Sequence, residues 1–191
     1  MGRILLFCSI VFVVWFVVIY FLPSMIISVF KRAVLVKGFG EGPIPPNTLY
    51  TQSQEQFADP LHAVGSRLTI TGVNRDTIIS IGWLDLNKGP LILNVPDMSD
   101  RFYSVQFTDP LKNAAFAYIG KRTTGTRANK YYICGPGWKG SLPQGQGASK
   151  ISSPNNSVLI IGRVLVFDEN DLPAAYSLSK QLRLMPLCSV I

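Results

Sequence analysis

The sequence predicts an all-β body, an antiparallel β-sandwich or jelly-roll-like arrangement with one C-terminal helix, preceded by an N-terminal transmembrane helix. Three observations carry that reading. Residues 4 to 22 form a run of 19 residues without a charge. Beyond residue 74, short apolar runs alternate in period two between turn residues, which suits a sandwich or jelly roll better than a βαβ sheet. One late stretch, residues 171 to 183, has helical spacing.

As a helix the uncharged run spans about 28 Å at ~1.5 Å per residue, close to the hydrocarbon thickness of a bilayer. It exceeds the h-region of a secretory signal, about 7 to 15 residues, and no small-x-small cleavage site follows Leu22. An uncleaved anchor therefore fits better than a cleavable signal. Pro23 lacks an N–H and clashes with the preceding turn, so it is expected to interrupt or end the helix. Apolar character resumes on one helical face with Ile26, Ile27, Phe30, Ala33 and Val34, beside Lys31, Arg32 and Lys37. That pattern suits a helix lying at the headgroup level, its cations on anionic lipid, and equally a kinked continuation of the anchor into water. Residues 1 to 37 are thus read as a transmembrane helix and a juxtamembrane amphipathic segment. Arg3 against three later cations leans, by the positive-inside rule alone, toward a cytoplasmic body. Residues 38 to 47, GFGEGPIPPN, read as a Gly/Pro linker, and residues 48 to 191 as one domain of about 140 residues.

In the body, Thr77, Ile79, Ile81 and Trp83 alternate with Ile78, Ser80 and Gly82, and Tyr103, Val105 and Phe107 share one face; both are half-buried strands. Further strands are expected at residues 68 to 73, 91 to 95, 115 to 119, 130 to 134 and 157 to 167, separated by Asn-Lys-Gly-Pro, Asp-Met-Ser-Asp and Asp-Pro turns. In the late helix Asp171 is placed to cap, Pro173 is tolerated in the first turn, and Ala175, Leu178 and Leu182 share a face.

Composition excludes several classes of chemistry. His62 is the one histidine, so multi-histidine zinc sites are impossible, and a surface or capping role suits it better than catalysis. With Cys8 in the anchor, Cys134 and Cys188 are left as the one possible intrachain disulfide, and both are expected to stay free. No metal site and no cofactor is implied. Residues 101 to 150 hold eight cations against Asp109 alone, whereas residues 41 to 100 hold seven acids against three cations. An anion-binding or membrane-facing surface is one reading of that asymmetry. Pairing of the cations with the acidic half across the sandwich is the other, and the favoured one. No nucleic-acid motif accompanies the cations, so no nucleic-acid partner is expected.

The strings NRDTIISIGWLDLNKGP (74 to 90) and TTGTRANKYYICGPGWKG (123 to 140) are the most informative in the chain. With VPDMSDRFY, SPNNSVLIIGR, DLPAAYSL and LRLMPL following in order, the chain from about residue 74 to 187 resembles the bacterial domain-of-unknown-function family 1254. It departs from the family at Ile79, where relatives show an aromatic, at residues 127 to 130, and at Cys134, where a hydroxyl residue is usual. The resemblance implies an exported, periplasmic body, opposite to the charge bias. Many relatives continue into a second β module, family 1214.

The polar residues of these strings are the candidates for chemistry. Arg75 and Asp76 can orient one another, with Tyr103 on a neighbouring strand; this trio is the candidate catalytic group of a hydrolase or group-transfer enzyme. Thr123, Thr124 and Thr126 around Gly125, with Trp138 as a stacking platform, are the candidate ligand-binding residues. For each the structural alternative is a strand-end ion pair, a turn, or an anchored loop. The favoured function is a membrane-anchored envelope protein, without catalysis, serving as an interaction or ligand-binding module. Its partners are then the lipid bilayer and, near the last helix and apolar tail, a separately encoded family-1214 module or a second copy. A truncated remnant of a two-module protein is a further alternative.

Overall fold

The alternation in residues 157 to 165 becomes an actual strand, with every second side chain buried, and this strand organises the larger sheet. The computed structural model describes residues 2–38, 42–58, 74, 76–112, 114–143 and 148–187. It shows two stacked sheets, with an apolar helix at the N-terminus and a second helix near the C-terminus.

The strands are β1 (Tyr50–Thr51), β2 (Thr77–Asp85), β3 (Leu91–Val95), β4 (Tyr103–Asp109), β5 (Ala114–Gly120), β6 (Asn129–Cys134), β7 (Ala148–Ser152), β8 (Ser157–Leu165) and β9 (Arg183–Pro186). One sheet runs β1-β2-β8-β4-β5, antiparallel throughout; the other runs β7-β6-β3-β9. β2 and β8 pair over their full length, from Thr77 opposite Leu165 to Asp85 opposite Ser157. β4 and β5 form a hairpin whose turn is set by the Asp109 carboxylate, which accepts the N–H groups of Leu111 (3.0 Å) and Lys112 (3.3 Å). Between the sheets lie Ile78, Leu84, Tyr103, Val105, Phe107 and Ile160 from one side, and Leu91, Leu93, Tyr131 and Ile133 from the other. Helix α3 (Leu172–Gln181) adds Ala175 and Leu178 to the same core, packing on β2 and β8.

The sandwich-like reading thus holds, with differences. The second sheet is mixed, because β6 and β7 run parallel. The chain between Cys134 and Ala148 is long enough to return to the same end before the next strand starts. β1, β7 and β9 were not expected; each is short or at a sheet edge, where periodicity is weak. A short helix α2 (Gln54–Ala58) was also missed. It starts on a capping box, the Ser53 hydroxyl accepting from Gln56 N–H and the Gln56 carbonyl oxygen of the side chain from Ser53 N–H, both at 3.2 Å. α3 stops two residues earlier than expected because Leu182 is already extended and leads into β9. Asp171 stands at the start of α3 without a side-chain capping bond. The expected strand at residues 68 to 73, and His62, lie outside the described residues.

The N-terminal helix α1 (Gly2–Lys37) does not stop at Pro23. Proline removes one backbone bond, and packing of the last turns on the body supports the continuation. Val34 is buried with Ile44 and Ile81, Phe30 meets Trp83, and the Lys31 ammonium donates to Ser157 Oγ at 3.1 Å. Gly38, in the left-handed region at φ 60°, ends the helix with bonds back to the carbonyls of Ala33 and Val34. α1 therefore covers part of the outer face of the five-stranded sheet. This is why the second half of β2 is buried on both faces and why Trp83, on the outer side, is 1% exposed. The large apolar side chains from Leu6 to Leu22 remain exposed.

Candidate functional site

β2 begins where the expected catalytic group lies, and β4 carries Tyr103 two strands away, with β8 between them. Asp76 precedes β2 with its side chain in solvent, and its carbonyl accepts from Val166 N–H at 2.8 Å. Arg75 lies outside the described residues. Tyr103 lies in the core, at 1% exposure. Its hydroxyl donates to the Gly125 carbonyl at 3.0 Å, and burial, with Tyr131 alongside, holds the phenol above its ordinary pKa against the opposing effect of the Thr124 hydroxyl. Asp76, exposed ahead of β2, and Tyr103, buried in the core, thus stand in different surroundings, with β8 between their strands.

The threonine string forms a turn that consumes its own hydroxyls. Thr123 and Thr124 both donate to the Gly120 carbonyl at 3.3 Å, and Thr124 Oγ1 accepts from Gly120 N–H at 3.1 Å. Thr126 is half-buried, its carbonyl taken by Met98 N–H at 2.8 Å. Gly120, at φ 156°, lies so close to β4 that a Cβ there would overlap the Tyr103 carbonyl oxygen. The turn is therefore a lid over the Tyr103 end of the core, and a ligand would have to compete with these bonds.

Trp138 belongs to a different surface. It lies over Ile92, Tyr132 and Leu187 on the outer face of the four-stranded sheet, with the Lys150 ammonium 5.6 Å from its ring centre. The same face carries Lys130 and Arg183 on either side of Asn94, and the strands of this sheet contain no acidic residue. The expected pairing of the basic stretch with the acidic half is met by Lys121 with Asp100, at 2.9 Å. Among the described residues Lys130, Lys139, Lys150 and Arg183 have no acidic partner. They are all exposed, so water solvates them without requiring a carboxylate.

The strongest polar constellation escaped sequence reading. Arg101 and Asp171 form a bidentate ion pair, NH2 to Oδ1 at 2.6 Å and NH1 to Oδ2, with 11% and 16% of their side chains exposed. Arg101 NH1 also donates to the Leu165 carbonyl at 2.8 Å, its guanidinium stacks 4.8 Å from the Phe167 ring centre, and Phe167 N–H donates to Asp171 Oδ2 at 2.9 Å. Hydrogen bonding to Arg101 holds the Asp171 carboxyl below its ordinary pKa, and the same bond raises Arg101. The pair ties the loop before β4 to the start of α3. Asp171 read locally as a cap because a carboxylate before a helix has that use in most contexts.

Cys134 is buried and free, and burial raises its thiol pKa, partly offset by Lys150. Cys188 lies outside the described residues. No group of three or more His, Cys, Asp or Glu side chains suited to a metal occurs among the described residues.

The family model described as "Protein of unknown function (DUF1254)" matches residues 52–186. No curated protein matches the chain. The VPA0106 protein from Vibrio parahaemolyticus has a similar fold, with a TM-score of 0.66 at 21% sequence identity, over 90% of this chain. The match covers 37% of the Vibrio chain, most of which lies outside it.

Proposed function

Because the chain belongs to the DUF1254 family of proteins of unknown function, whose β domain here stands on a membrane-length apolar helix, we propose that it is a single-pass membrane protein of the bacterial envelope with the body serving as an interaction module. One observation carries the reading. Helix α1 is apolar and exposed through its first two-thirds, and its last turns are packed on the body. Such an apolar surface has no place in water. At ~1.5 Å per residue, 21 residues give about 31 Å, the hydrocarbon thickness, leaving the packed turns as a stem.

A periplasmic body is the orientation we favour. Lys31 is engaged by Ser157 and the Trp83 face, which reduces the number of cations free to hold the stem at a cytoplasmic surface. The partner we propose is a second β module, docking by the last helix and β9. Among the described residues β9 pairs with β3 on one side alone, and a strand edge of this kind accepts another strand. A second copy is the competing occupant. Against an enzyme stands the divergence of Asp76, in solvent, from Tyr103, in the core.

The test is carbonate extraction of membranes holding the full chain, followed by protease treatment of spheroplasts. A pelleting protein whose body is digested from outside supports the reading. Extraction into the supernatant, or protection of the body, overturns the anchor or the orientation respectively.

A further inference from the structure

Apolar side chains of helix α1 and of the body line a groove between them. Ile19, Leu22 and Phe30 of α1 form one wall, and Pro110 and Leu159 of the body form the other, around an open groove of about 590 Å³. Thr108, at the end of β4, forms its floor. The groove therefore joins the membrane-length helix to the turn between β4 and β5.

Depth along α1 decides what that space faces. If the hydrocarbon takes up about 20 residues of helix, Ile19 and Leu22 lie at its boundary. Pro110 lines the same groove. The next residue, Leu111, is 65% exposed at the tip of the turn, and Lys112 follows. Two N–H groups of this turn are held by the Asp109 carboxylate, itself 3% exposed, so Leu111 is presented by a fixed loop. An exposed leucine next to a lysine, one residue on from a proline that lines the groove with Ile19 and Leu22, suits the boundary between acyl chains and headgroups.

We propose that the groove between α1 and the β4–β5 turn seats an acyl chain of a bilayer phospholipid, with Leu111 inserted beside it and Lys112 at the headgroup phosphates. The proposal rests on the membrane-anchor reading of α1. The occupant follows from continuity: the helical wall is itself the surface that lipid must cover, and the groove opens along it. Water held there would lie against apolar walls with few hydrogen-bonding partners. The body then stands with one edge in the membrane, in a fixed orientation, instead of on a free tether.

The test uses the full chain with Cys8→Ser and Cys188→Ser, in nanodiscs of phosphatidylcholine and phosphatidylglycerol. A trifluoromethyl tag is placed in turn at Ile10→Cys, Thr108→Cys, Leu111→Cys and Arg127→Cys. Fluorine NMR line broadening is read on adding phosphatidylcholine with a nitroxide high on its acyl chain. The expected result is several-fold greater broadening at positions 10, 108 and 111 than at 127. Broadening at 10 with none at 108 leaves the anchor standing and overturns the seated chain. No broadening at 10 overturns the anchor reading itself.

Discussion

Replacing Asp171 by Asn is expected to lower the stability of the body by about 2–3 kcal/mol, set between the value of an exposed ion pair, ~0–1 kcal/mol, and the ~3–5 kcal/mol cost of breaking a buried one. The geometry places it there. Both side chains are largely buried, the pair is bidentate, and the carboxylate also accepts the Phe167 N–H. After the substitution Arg101 keeps the Leu165 carbonyl and the Phe167 ring but loses its counter-charge. In a body of this size the loss corresponds to a drop in Tm of roughly 5–10 °C. Circular dichroism melts of the protein lacking residues 1 to 22 measure it. The pH dependence gives a second reading. Asp171 has its folded pKa depressed, so its contribution is present above the unfolded carboxyl pKa and is lost as pH falls through the folded value. The native protein should therefore lose stability toward acid more steeply than Asp171→Asn. Arg101 is raised from a value already above 12, so it adds no slope at accessible pH. A melt within about 2 °C of the native one, or acid limbs of equal slope, would refute the reasoning.

Gly120→Ala should cost about 1–3 kcal/mol, because the backbone there is left-handed and the new methyl meets the Tyr103 carbonyl; a thermal melt checks it. Val34→Ala should cost about 1–2 kcal/mol through lost burial against Ile44 and Ile81. For the same reason, deleting residues 1 to 22 should yield a monodisperse body, whereas deleting 1 to 37 uncovers Ile81 and Trp83 and should yield aggregates, compared by size exclusion with light scattering. Cys134 should stay unreactive to a thiol reagent at neutral pH in the folded protein and react fully once unfolded, since its thiol is buried and its pKa raised.

Local pattern was enough for the features whose physics is local. Nineteen uncharged residues specify a helix that can cross a bilayer, and the alternation of Tyr103, Val105 and Phe107 specifies β4 with its core face, because period-two burial is written in the strand itself. The glycine-punctuated strings were enough to recognise the family. Neighbourhood across the chain was decided by the tertiary structure. Arg101 and Asp171 are 70 residues apart, and nothing in either local string names the other. The same holds for β9: residues 184 to 187 looked like part of an apolar tail awaiting cover, yet Leu184, Met185 and Pro186 belong to the edge strand of the second sheet, and Leu187 is buried. Arg75 and Asp76 looked like a catalytic start and Tyr103 like its companion, yet Asp76 lies ahead of the first strand residue, in solvent, and Tyr103 lies within its strand, in the core. Trp83 alternates like a half-exposed residue and is buried, because α1 crosses the outer face of its sheet. Periodicity states which face of an element is apolar; which other element covers that face depends on chain closure over tens of residues, and local sequence carries little record of it.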